Sequence, residues 1–126
     1  MFTRAQGGYY TVGDDGGVFA FEGAPHFGAL PGSGHAPVGE LVGGSATLRG
    51  DGYWLVTDAG HVYAFGAAEH LGPSPRHVRE WGIGTAANPV LGIAASGDGG
   101  YVLCVKASGR EGPNRYEITP DGLYAA

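Results

Sequence analysis

Five histidines, one cysteine and a set of glycine-flanked aspartates are the residues of this chain that could do chemistry. Clustered histidines can hold a metal or move a proton, and paired carboxylates can serve glycoside chemistry. The spacing points elsewhere. His26 and His70 stand at matching places in two copies of one segment, and a residue that recurs once per unit belongs to the packing or turn hydrogen bonding of that unit. His35, His61 and His77 do not recur, and no His-x3-His or Cys/His ligand spacing occurs. Asp14, Asp15, Asp51, Asp58, Asp98 and Asp121 sit beside or near glycines, the composition of turns in which Asp bonds its own backbone, and none forms the alternating acidic loop of a calcium hand. Gly32-Ser33-Gly34 and Gly43-Gly44-Ser45 lack the strand-to-helix setting of a serine nucleophile. Cys104, within Tyr101-Val102-Leu103-Cys104-Val105, has no evident partner base and reads as a buried strand thiol. Arg49-Gly50-Asp51 spells an adhesion tripeptide, but it ends a loop directly before a strand, where Gly and Asp are ordinary. No catalytic residue, metal site or cofactor is expected.

The elements that hold these residues follow from the repeat. Residues 8–31 recur without a gap as residues 52–75, with twelve of twenty-four positions identical. Repetition of this length signals an array of one small structural unit. Each copy reads as a hairpin: residues 8–12 or 52–56 as a strand, an Asp/Gly turn at 14–17 or 58–61, then 18–21 or 62–65 as its return. Alternation puts Tyr53 and Leu55 on one face and Trp54 and Val56 on the other. Both faces are apolar, so both are expected to be buried. A further strand is expected from residue 36 through Val42 and over 88–94, with edge strands at the Gly28 and Gly72 segments. A third copy starts at Gly100; its return strand is expected at 122–126, aligned with 17–21, after an insertion that comes back along Arg115–Thr119. A second insertion follows Pro75, where Ser74 caps a short helical turn that carries Arg76 to Trp81.

Composition fits this picture. The 26 glycines serve turns and close packing, and seven Tyr, five Phe and two Trp in regular apolar runs argue against disorder. A net charge of −5 speaks against a nucleic-acid surface. No segment approaches the length of a membrane span, and the start at Met1 has no export signal of the usual type.

The pattern Gly52-Tyr53-Trp54-Leu55-Val56 then Val62-Tyr63-Ala64-Phe65-Gly66, with Asn88-Pro89-Val90-Leu91-Gly92-Ile93-Ala94 leading the next copy, resembles a repeat of secreted and surface proteins of actinobacteria and of their phages. The resemblance covers most of residues 8–105. It implies an all-β, propeller-like array and says almost nothing about activity, since such copies accompany other domains and have no catalytic signature. The expected architecture is a single domain, 1–126, of three units of about 44 residues at roughly 8–35, 36–87 and 88–126. A closed ring needs at least four blades, so completion by identical chains is expected; a β-trefoil is the alternative. The expected function is non-catalytic: a virion component, capsid decoration or minor tail protein, that contacts other virion proteins. The alternative is an extracellular or cell-surface carbohydrate-binding module for the envelope, with Tyr9, Tyr53 and Tyr101 as stacking platforms. Contacts are expected where the repeat is broken, at Arg76, Arg79, Trp81, Arg110 and Arg115.

Overall fold

A computed structural model of the chain describes residues 1–30, 38–73, 75–97, 99–106, 115–120 and 122–125. Its elements are β1 (Phe2–Thr3), β2 (Tyr9–Val12), β3 (Val18–Phe21), β4 (Leu41–Ala46), β5 (Gly52–Thr57), β6 (Val62–Gly66), α1 (Pro75–Trp81), β7 (Val90–Ala95), β8 (Tyr101–Val105), β9 (Arg115–Thr119) and β10 (Gly122–Ala125). They form three antiparallel sheets, β1-β2-β3, β4-β5-β6 and β7-β8-β9-β10. The fold is all-β and built from three like units. Among the described residues no helix is long and apolar enough to cross a membrane.

The recurring Gly explains the hairpins. In the first sheet the Gly13 amide bonds the Gly17 carbonyl and the Gly16 amide bonds Gly13; in the second, Thr57 bonds His61 and Gly60 bonds Thr57. Gly16 and Gly60 hold φ at +84° and +88°, a region that costs a residue with a Cβ about 1–2 kcal/mol. Asp15 Oδ1 accepts the Gly17 amide at 2.8 Å, while Asp58 Oδ1 accepts the Glu40 amide at 2.9 Å and pins the entry to β4. Registers coincide: Tyr9 faces Phe21, Tyr53 faces Phe65 and Tyr101 faces Ile118. The leading strands also share a bulge, between Leu41 and Gly43 and between Val90 and Gly92.

Several expected boundaries are corrected. The first sheet includes β1, so its unit begins before residue 8. β4 and β7 begin at Leu41 and Val90, later than expected; Pro37 and His35 lie outside the described residues. Pro89 precedes β7 because it has no amide to give a ladder. The Gly28 and Gly72 segments are not edge strands, because their polar groups are taken by tyrosines of the following unit. In the third unit the return strand is β9, which pairs with β8 directly; Gly122–Ala125 is a fourth strand beyond it. β9 wins that place because Tyr116 and Ile118 alternate as buried residues with exposed Arg115 and Glu117.

The sheets stand in series. Tyr10, Val18, Tyr53 and Leu55 form the core between the first and second. Trp54, Val56, Val62, Tyr101, Leu103, Tyr116 and Ile118 form the core between the second and third. Every residue of β5 is therefore buried, as the two apolar faces predict, and each large side chain so covered contributes about 1.5–3 kcal/mol. The leading strands lie side by side, β1 against β4 and β4 against β7, whereas no described element of the first sheet touches the third. Close approach there needs the missing Cβ of Gly44, which would come within 2.5 Å of the Phe2 ring.

Candidate functional site

The residues that recur most regularly build the two junctions between sheets. Tyr53 reaches from the second unit into the first, where its hydroxyl accepts the Phe27 amide at 3.1 Å and donates to the Gly28 carbonyl. Tyr101 repeats this one unit later, accepting the Leu71 amide at 3.3 Å and donating to the Gly72 carbonyl. A neighbouring position closes each unit on itself: the Tyr10 hydroxyl donates to the Pro25 carbonyl at 2.6 Å and Trp54 Nε1 donates to the Glu69 carbonyl at 2.8 Å. Buried backbone groups demand such partners. Burial pushes the Tyr53 hydroxyl above its ordinary value of 10, against the pull of the Phe27 and Gly28 backbone. It drives Tyr101 up to about 12 for the same reason, against Leu71 and Gly72.

For Tyr53 and Tyr101 these contacts correct the expectation of sugar platforms. Tyr53 and Tyr101 have no exposed surface, so neither can stack on a ligand while the sheets stay packed. The His26 ring lies 3.1 Å from the Val18 carbonyl through Nε2, within its own unit, whereas His70 is exposed; no group of three metal-ligating side chains occurs among the described residues. Asp51 accepts the Thr47 hydroxyl at 2.7 Å, and Gly50 accepts Arg4 Nε at 3.0 Å, so the Arg49-Gly50-Asp51 tripeptide is a turn tied to the first sheet. Asp98 and Asp121 lie outside the described residues.

The residues expected at an interface do not form one patch. Arg110 lies outside the described residues. Arg76 is exposed on α1 and pairs with Glu80 at 2.9 Å; Arg79 is exposed in the last turn. Trp81 is half-buried and lies flat on Tyr116, with ring centroids 4.2 Å apart. It covers the second core together with Val78. Arg115 stands on the opposite face of the third sheet from Tyr116. Beside it in register, Cys104 is exposed, which corrects the buried thiol.

An open groove of about 670 Å³ lies between the turns of the second and third sheets, with Arg49, Asp51, Glu69, Ser96 and Pro120 on its walls. Its floor residue Trp54 is only 2% exposed, which leaves no aromatic platform there.

The two end faces of the array are more distinctive. Each junction packs a receiving face of one sheet, Tyr53, Leu55, Tyr63 and Phe65 or Tyr101, Leu103, Tyr116 and Ile118, against a contributing face of the sheet before it. The contributing faces are Tyr10, Val12, Val18 and Ala20, then Trp54, Val56, Val62 and Ala64. In the first sheet the receiving face, Tyr9, Thr11, Phe19 and Phe21, is open: Phe19 is 59% and Phe21 43% exposed, and Tyr9 stacks on Phe21 at 5.1 Å. In the third sheet the contributing positions are Val102, Cys104, Arg115 and Glu117, the last three exposed. No family model, curated protein or solved structure matches the chain. The geometry of these faces is thus the evidence on function. The repeat in the sequence already held this signal at Tyr9, Phe19 and Phe21. Misplacing the third return strand hid its counterpart at Arg115 and Glu117.

Proposed function

We propose that this chain is a non-catalytic structural and interaction protein, a short arc of β units that presents its end faces to partners, and that it serves as a virion component. The observation that carries the reading is the use of its recurring aromatic hydroxyls: Tyr53 and Tyr101 bond the backbone of the preceding unit, so the repeated chemistry joins units together. A propeller-like arc accounts for leading strands packed in series and for first and third sheets that do not meet; in a trefoil each unit would touch both others. Completion of a ring by a second copy, head to tail, would seat Arg115 and Glu117 on Phe19 and Phe21, and burying charges against rings without partners is strongly unfavourable. The virion reading further rests on the resemblance of the Gly52–Gly66 pattern to phage-encoded repeats. Quantitative mass spectrometry of particles purified from the source strain tests it. Peptides of this chain in fixed ratio to the capsid protein are expected; their absence from particles, with the chain present in the lysate, overturns it.

A further inference from the structure

We propose that the open face of the first sheet, Tyr9, Thr11, Phe19 and Phe21, is a docking site for one more β unit of this same type, carried by a different polypeptide. The two junctions inside the chain are the template. At each, a receiving face rich in rings takes the contributing face of the preceding unit, and its tyrosine hydroxyl binds the amide and carbonyl of that unit's Phe27-Gly28 or Leu71-Gly72 turn. The open face keeps this character position by position: Tyr9 matches Tyr53, Phe19 matches Tyr63 and Phe21 matches Phe65. It bears no charge, and neither core cluster includes its rings. Exposed contiguous rings of this kind mark an interaction surface.

The other end shows why the occupant is not a second copy. The contributing face of the third sheet is polar, with Arg115 and Glu117 where the second has Val62 and Ala64, and Val102 where it has Trp54. Among the described residues the apolar contributing faces of the first two sheets, and the Phe27-Gly28 and Leu71-Gly72 turns, are taken by the junctions inside the chain. The site therefore fits a unit with an aromatic residue at the place of Trp54 and small apolar residues at the places of Val62 and Ala64.

This inference rests on the scaffold reading, and full-length chains test it apart from the particle assay. Val102→Trp, Cys104→Val, Arg115→Val and Glu117→Ala together give the third sheet an apolar contributing face, and that uncapped chain is the probe. In sedimentation at micromolar concentration the natural chain is expected to stay monomeric and the uncapped chain to assemble head to tail. Excess natural chain should shorten the assemblies by occupying their free contributing ends. Phe19→Lys, at a largely exposed position, should weaken assembly of the uncapped chain by at least about tenfold, and the natural chain with Phe19→Lys should no longer shorten it. A milder probe, Arg115→Val with Glu117→Ala, serves if the fourfold variant loses its native circular dichroism. Assembly indifferent to Phe19→Lys overturns the proposal, as does a folded uncapped chain that remains monomeric. A natural chain that dimerises through Phe19 also overturns it, since the occupant is then a second copy. None of these outcomes touches the mass-spectrometric test of the virion reading.

Discussion

The two junctions share one device and differ in what surrounds it. At the first, Tyr53 sits among rings: Tyr10, Phe2, Phe27 and Phe65 lie at centroid distances of 4.8, 5.9, 5.7 and 5.7 Å. At the second, Tyr101 meets the ring of Trp54 at 4.9 Å, with aliphatic Val56, Val90, Leu103 and Ile118 in the cluster and the Trp81–Tyr116 stack of α1 and β9 at its rim. The hydroxyl held between a turn amide and a turn carbonyl is kept, while the packing around it is remade. Hydrogen-bond geometry thus sets the relation of neighbouring units, and apolar side chains of many shapes can fill the space that relation leaves.

Removing Trp54 should break the contrast most severely, because it lines the second junction and closes its own unit. Trp54→Ala is expected to lower stability by about 3–5 kcal/mol, measured by denaturant unfolding. Next come the tyrosines. Tyr101→Phe and Tyr53→Phe each leave a turn amide and carbonyl without their partner and should lose about 1–3 kcal/mol, whereas Tyr9→Phe, on the open face, should stay within about 0.5 kcal/mol. Equal losses at all three positions would erase the distinction between used and unused junction faces.

Alkaline titration sharpens the same comparison. The Tyr101 hydroxyl is held at about 12 against an ordinary 10, so the folded chain keeps a proton that the unfolded chain releases. Its contribution is fully present below pH 10 and is lost as pH rises toward 12. Tyr101→Phe should flatten the fall in melting temperature over that window. On the rim, Trp81→Ala removes the stack on Tyr116, worth about 0.5–1.5 kcal/mol beyond its buried area. Arg76→Ala, at an exposed ion pair, should change stability by less than about 0.5 kcal/mol.

The legible parts of this fold are those governed by local rules. Alternation in Gly52–Thr57 gave two buried faces, Asp and Gly marked the hairpin turns, and Pro75 opened the short helix. What escaped depends on partners distant in sequence. Phe2–Thr3 is too short to announce itself and is a strand because it pairs with Tyr9–Tyr10. Arg115–Thr119 reads as part of an insertion because its alternation of charged and apolar residues differs from the all-apolar pattern of its counterparts. The same oversight concealed the exposure of Cys104. Trp81 departs from the repeat in the sequence, but its flat contact with Tyr116 depends on a residue 35 positions away.

One consequence lies in β5, the strand with both faces covered. Among the described elements the outer sheets touch the middle one and not each other, so neither can come loose without baring a face of that strand. Its amides should be the last in the molecule to exchange with heavy water.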